Sequence, residues 1–209
     1  RAGREVFFRH RWLWTVVLHA CAWQLVWAGS VQVIGPAVAE AHTGPRTWGL
    51  VLASQTAGAI AGGVLALRWR PRAALAGGVL LTAVSAALPW SLAADPHPEA
   101  VIPAAFLAGT AMEQVGVALT VAVQERVPPG LLARVTSYQV LGSLAAVPLG
   151  QFLAGPLTDA YGQGRVLVAA GLCIVTVTLA VVAVPDVRSV RTGDRPDMSR
   201  AQARNGPAR

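Results

Sequence analysis

The stretch that decides the fold is VIPAAFLAGTAMEQVGVALTVAVQERVPPGLLAR, residues 101–134. Residues 101–123 form an apolar run whose one ionisable side chain, Glu113, lies near its middle. A run of about 18 or more apolar residues is long enough to cross a bilayer core of about 30 Å. A charged side chain halfway across costs ~2.5–3.5 kcal/mol or more. The stretch therefore predicts a membrane-spanning helix that carries a candidate functional acid and ends in a polar, proline-rich loop.

The composition of the whole chain agrees with a membrane protein. The 209 residues are 54% hydrophobic and only 13% charged, whereas a soluble domain carries about 25% charged residues. All 17 basic residues are Arg, and the formal net charge is +7. Basic residues mark the cytoplasmic side of membrane proteins, so we do not expect nucleic acid as a partner.

Apolar runs divide the chain into six predicted spans, and the class is therefore an all-α membrane protein. We expect the spans at residues 12–34, 47–67, 73–94, 101–123, 135–157 and 166–185. Residues 1–11 form a basic approach, and residues 186–209 form a polar, basic tail that we expect to be disordered. The sequence begins with Arg and no signal peptide precedes the first span, so we expect a trimmed chain or a piece of a longer protein.

The distribution of Arg predicts the orientation. Six spans place both ends on one side of the membrane, and only Arg46 and Arg165 fall in loops on the other side. The positive-inside bias then places both termini and the loop at residues 124–134 in the cytoplasm of a bacterial cell membrane.

A weak internal repeat links the two halves of the chain. Aligning residues 61–62 with 154–155 also pairs Arg72 with Arg165 and Gly78 with Gly171. Each unit contains three spans, so the second unit crosses the membrane in the opposite sense. Inverted repeats of three spans are typical of transporters.

Glu113 is the leading candidate site residue. Gly109, Gly116 and Thr120 share its helical face at helix-neighbour spacings. Three interpretations stay open: a proton-coupling or substrate-cation site, a structural acid bonded to a neighbouring helix, and an acid that lies nearer to water than the predicted boundary implies.

The first span carries an aromatic face formed by His19, Trp23 and Trp27 at steps of four residues. An apolar ligand could stack on this face. The alternative is a packing face on which His19 bonds to a backbone carbonyl.

Uncharged polar side chains inside the spans are further candidates for lining a cavity. Interhelical hydrogen bonds average only ~0.6 kcal/mol in membranes, so most of these groups serve packing under the alternative interpretation. The candidates are Gln24, Gln55 and Gln114, with Tyr138 and Gln139 at the cytoplasmic start of the fifth span.

Small residues recur every four positions in the second span, at Ser54, Gly58 and Gly62. This spacing lets two helix backbones approach closely, and we expect a packing role. A substrate path along the smooth face is the alternative.

The chain shows none of the motifs of common enzymes. Cys21 and Cys173 both lie inside apolar runs and indicate neither a disulfide framework nor a metal site. No nucleophile–His–acid set, HExxH pair, CxxC pair or phosphate loop occurs, and the His residues are scattered. We therefore expect no enzyme activity, no cofactor and no bound metal.

Three segments resemble the C-terminal half of a major facilitator superfamily transporter. Residues 7–11, FFRHR, resemble the end of the linker between the two six-helix halves of that family. Residues 124–135 resemble the loop after the tenth helix of its drug and macrolide efflux branch. Residues 148–150 and 155–162, PLG and GPLTDAYG, resemble its eleventh helix. One departure is Leu67, which stands where the family's loop signature has an acidic residue.

The resemblance implies two inverted three-helix repeats that form half of a twelve-helix fold. It also implies proton-coupled efflux of small hydrophobic or amphipathic compounds by alternating access. Such a half needs a partner, either the N-terminal six helices or a second copy of the chain. The alternative is a truncated or remnant membrane protein without transport activity of its own.

Overall fold

The computed structural model describes residues 11–68, 74–94, 96–126 and 129–188, and every regular element within them is a helix. The predicted basic approach at residues 1–10 and the tail from residue 189 onward lie outside the described residues. Six helices are long and apolar enough to cross a membrane. The predictions of an all-helical fold and of six helices long and apolar enough to span a membrane are confirmed.

We number the helices in chain order. α1 covers residues 11–42 as three joined segments, an α-helix Arg11–Trp27, a π-helix Ala28–Ile34 and an α-helix Gly35–His42. α3 covers residues 74–94 as Ala74–Leu81, a 3₁₀ segment Thr82–Ala86 and Ala87–Ala94. The other helices are α2 Pro45–Arg68, α4 Pro98–Arg126, α5 Pro129–Tyr161, α6 Gln163–Ala183 and the short α7 Pro185–Arg188.

The first helix continues beyond Ile34, where the sequence places the end of the span because Gly35-Pro36 follows. A proline has no N–H to donate, and its ring crowds the carbonyl four residues earlier. A π turn absorbs this disruption, since the Gly35 N–H donates to the Ser30 carbonyl five residues back. The Ser30 hydroxyl donates to the Val26 carbonyl at 2.7 Å and satisfies a further backbone group.

Helices that are distant in sequence pack together, α1 with α5, α2 with α4, and α3 with α6, and α3 also packs against its neighbour α4. The α2–α4 contact closes around Gly58 and Gly109. A Cβ atom at Gly58 would overlap the Phe106 carbonyl oxygen, and one at Gly109 would overlap the Gln55 carbonyl oxygen. Small residues are the usual means of bringing membrane helices together. We call this contact the α2–α4 seam.

A second seam of the same kind joins α1 to α5 at Gly29 and Gly150. A Cβ atom at Gly29 would lie 2.6 Å from the Gly150 carbonyl oxygen, and one at Gly150 would overlap the Leu25 carbonyl oxygen. We call this contact the α1–α5 seam. In both seams, backbone lies directly on backbone.

The outer surface of the bundle is strongly apolar. Phe152 is 75% exposed, Leu67 73% and Ile60 66%. Extensive exposed apolar surface marks an interaction with a partner or a membrane, and here the exposed residues lie on helices of membrane-spanning length. Exposed hydrophobic side chains on such helices are what contact with lipid requires.

The seam geometry predicts opposite effects for two Gly→Ala substitutions on α4. Gly109→Ala should lower the free energy of unfolding by about 1–3 kcal/mol, because the added methyl group meets the α2 backbone. Gly116→Ala should be neutral or stabilising, because nothing lies within 4 Å of a Cβ atom there and Ala is the better helix former. Unfolding curves in detergent measure both. Equal destabilisation by the two variants would contradict the seam.

Candidate functional site

Two groups of polar side chains stand out, one buried and one exposed. The buried group, the His19 cluster, joins α1, α3 and α6. His19 Nε2 lies 3.2 Å from both Thr82 Oγ1 and Thr178 Oγ1, and the two hydroxyl oxygens are 3.0 Å apart. The Thr82 hydroxyl also lies 2.6 Å from the Val79 carbonyl oxygen. His19 thus bonds to two threonine hydroxyls rather than to a backbone carbonyl.

The aromatic face of α1, formed by His19, Trp23 and Trp27, also packs inside the bundle. The Trp23 indole N–H donates to Ser85 Oγ at 3.0 Å, and the ring stacks on Trp27 with centroids 5.0 Å apart. Both indoles are buried in the apolar core beside Leu88 and Ile174. The face predicted to bind a ligand is therefore turned toward α3 and α6 inside the bundle.

The irregular turn of α3 carries the two hydroxyl groups that bond to His19 and Trp23 of α1. The 3₁₀ segment Thr82–Ala86 holds both hydroxyl residues that contact α1, and it ends three residues before Pro89. Pro89 lies in the next segment of the same helix, Ala87–Ala94. The residue four positions before Pro89 is Ser85, so the tighter turn lies where the proline ring would crowd the helix.

Glu113 lies at the exposed edge of the α2–α4 seam. A Cβ atom at Gly62 would lie 3.1 Å from Glu113 Cβ, so the base of the side chain contacts α2. Its carboxylate is exposed and makes no hydrogen bond or ion pair with any side chain in the described ranges. The structural interpretation, an acid bonded to a neighbouring helix, finds no bonding partner there.

Further exposed residues continue from Glu113 along one side of α4. They follow at steps of three, four and four residues, which is the spacing of one helical face. We call this surface the α4 stripe; it consists of Glu113, Gly116, Thr120 and Gln124. Gly109, expected on the same face, is instead buried against α2.

Several of the predicted site residues bond across the α2–α4 seam. Gln114 Nε2 donates to the Gly62 carbonyl at 2.7 Å, and Gln55 Nε2 lies 3.7 Å from Met112 Sδ. Ser54 Oγ donates to the Ile102 carbonyl at 2.9 Å. Amide and hydroxyl groups thus bond neighbouring backbone along the same line on which the glycines make close contact.

The other predicted polar residues lie apart from this seam. Gln24 on α1 is half-buried. The side chains of Tyr138 and Gln139 lie outside the described part of the chain. Sequence reasoning missed Gln151, whose Nε2 donates to Gln32 Oε1 at 3.1 Å between exposed positions on α5 and α1.

The missed residues differ in how visible they are in the sequence. Gln151 is an amide inside a predicted span, so the criterion that selected the other glutamines also finds it. Thr82 and Thr178 carry no such signal, because a threonine in a membrane helix ordinarily bonds to its own backbone. Thr176, two residues from Thr178, does so: its hydroxyl donates to the Leu172 carbonyl at 2.8 Å.

Among the described residues, no group of three or more His, Cys, Asp or Glu side chains comes together in a way that could hold a metal ion. Comparison with known proteins finds no match to this chain among protein-family models, curated proteins or solved structures. Any functional assignment therefore depends on the geometry of the polar groups.

The His19 cluster predicts a difference between two threonines of α6. Thr178→Val removes a hydroxyl that bonds across helices, and we expect a loss of roughly 0.6–1.7 kcal/mol in the free energy of unfolding. Thr176→Val removes a hydroxyl that bonds only within α6 and should change it by less than that. Chemical unfolding in detergent compares the two, and a larger loss for Thr176→Val would exclude the cluster as a tertiary contact.

Proposed function

We propose that the chain is one six-helix half of a major facilitator-like transporter that exports small hydrophobic or amphipathic compounds in exchange for protons. The observation that carries the proposal is Glu113. It is an exposed carboxyl group near the middle of an apolar helix, without a bonding partner in the described residues.

A carboxylate in this position is costly if its surface faces lipid. Insertion scales give ~2.5–3.5 kcal/mol for a charged group at the helix centre, and such residues almost always face a bundle interior or a water-filled cavity. Gly116, Thr120 and Gln124 continue the α4 stripe without a large apolar side chain. The stripe therefore suits the wall of a hydrated cavity that a second bundle closes.

The helix pairing supports two inverted three-helix repeats. Exchanging α1 with α4, α2 with α5 and α3 with α6 turns the α1–α5 contact into the α4–α2 contact. The same exchange leaves the α3–α6 contact unchanged, and it converts the α3–α4 contact into the α6–α1 contact. The structure contains all of these contacts. The glycine seams also correspond under this exchange. Such pseudo-twofold pairing is the arrangement that inverted repeats produce.

In the proposed mechanism, the two halves of the transporter rock around a site near the bilayer midplane. Glu113 takes up a proton when the cavity faces the non-cytoplasmic side and releases it toward the cytoplasm. The neutral acid and the carboxylate bind an amphipathic substrate with different strength, so proton binding and substrate binding exclude one another at the stripe. The two seams keep this six-helix half rigid while the cavity opens and closes.

The proposal assigns a partner and an orientation to the chain. The α4 stripe is covered by a second six-helix half, which is either an N-terminal half or another copy of this chain. Both termini lie in the cytoplasm of a bacterial cell, because the Arg-rich loops belong to that side.

A transport assay compares two acids of α4. In proteoliposomes that contain the chain with its second half, Glu113→Gln should abolish proton-driven efflux of a fluorescent amphipathic cation. Glu99→Gln should retain efflux, because Glu99 is an exposed acid in the first turn of the same helix, outside the stripe. Efflux by Glu113→Gln equal to wild type at every pH would refute the coupling role. Absence of efflux from the wild-type protein in every pairing would favour the non-transporting alternative.

Chemical labelling tests the surroundings of Glu113 independently of transport. A hydrophobic carbodiimide reacts with protonated carboxyl groups that it reaches from the apolar phase. We expect peptide mass spectrometry to find Glu113 labelled and Glu99 unlabelled. Labelling of both acids to the same extent would show that Glu113 lies in bulk water.

A further inference from the structure

A cavity of about 440 Å³ lies between α5 and α6, with α1 as its floor. Its walls are apolar along most of their length, and Leu153, Leu157 and Ala169 at its edge are exposed. It therefore opens to the outside of the bundle. At one end stand the side chains of Tyr161 and Arg165, both exposed.

The length of this groove matches one leaflet of a bilayer. Along α5 it is lined from Gly150 to Tyr161, which at 1.5 Å per residue is about 16 Å. That is roughly half of a hydrocarbon core of about 30 Å. Tyr161 is the last residue of α5, and Gln163 begins α6. The polar end of the groove therefore lies at the membrane interface, and its apolar end lies near the midplane.

The charge at the polar end selects the occupant. No carboxylate in the described ranges forms an ion pair with Arg165, and its guanidinium is exposed at the mouth of an otherwise apolar groove. A guanidinium binds phosphate oxygens through paired hydrogen bonds. Tyrosine is enriched at the interface, where its ring meets acyl chains and its hydroxyl meets headgroups.

We propose that this groove binds an anionic phospholipid, with an acyl chain between α5 and α6 and its headgroup phosphate on Arg165. The Ser30 hydroxyl, the polar group deeper in the groove, already donates to its own helix. The deep part of the groove therefore suits a hydrocarbon chain. The proposal stands on the shape and charge of the groove and does not depend on transport.

Lipid binding to the purified chain in mild detergent, measured by native mass spectrometry, tests the headgroup contact. We expect phosphatidylglycerol to bind roughly fivefold more tightly than phosphatidylcholine with the same acyl chains. Arg165→Gln should remove this preference. Arg46→Gln should keep it, because Arg46 is an exposed arginine at the start of α2, outside the groove. Equal loss in the two variants, or no preference in the wild type, would overturn the headgroup contact.

Filling the groove tests the acyl-chain contact. Ala169→Trp should weaken the binding of both lipids, because the indole occupies the space between α5 and α6. Ala180→Trp places the same side chain on an exposed position of α6 outside the groove and should leave binding unchanged. Unchanged binding in Ala169→Trp, or equal weakening in both variants, would overturn the groove as the site. If Ala169→Trp does not fold, the pair of arginine variants decides the proposal.

Discussion

The rest of the structure depends on the direct contact of helix backbones at two glycine seams. In a bilayer, apolar side chains gain little by leaving lipid for protein, so close packing and interhelical hydrogen bonds hold helices together. At Gly58 and Gly109, and again at Gly29 and Gly150, a single methyl group would collide with a backbone carbonyl. Each seam joins a helix from the first half of the chain to one from the second. The two halves therefore fold as one interlocked bundle.

Within the described residues, polar groups at helix contacts are hydrogen-bonded inside the bundle, whereas the Glu113 carboxyl group has no such partner. Gln114 and Ser54 bond carbonyls of the opposite helix at the α2–α4 seam, and His19 shares two threonine hydroxyls at the junction of α1, α3 and α6. Glu113 sits at the edge of the same seam with its carboxyl group outside the bundle. Gln114 and Glu113 are neighbours on α4, and only the Gln114 side chain bonds to another helix. This difference distinguishes a candidate functional group from the groups that stabilise the fold.

Hydrophobic length and the scarcity of charge were enough to predict the class of fold and the six spans, because both follow directly from the thickness of a bilayer. The local geometry of the helices at their proline-containing turns could not be predicted from the sequence in the same way. Gly35-Pro36 reads as a helix end in sequence, yet the π segment Ala28–Ile34 carries α1 through it. The inward direction of Trp23 and the bonds of Thr82 depend on the rotation of three helices about their axes. The residue pattern of a single span does not show how that helix is rotated relative to its neighbours.

The most direct test of the interlocked bundle uses a native thiol. A Cβ atom at Gly142 on α5 would lie 2.7 Å from Cys21 Sγ on α1, so a thiol introduced there is within reach of a disulfide. In a Cys173→Ser background, mild oxidation of Gly142→Cys in membranes should give an intramolecular crosslink, seen as a linked peptide pair by mass spectrometry. Gly155→Cys, at a position of α5 with no atom within 4 Å of a Cβ, should give none. No crosslink in Gly142→Cys, or equal crosslinking in both variants, would contradict the pairing of α1 with α5.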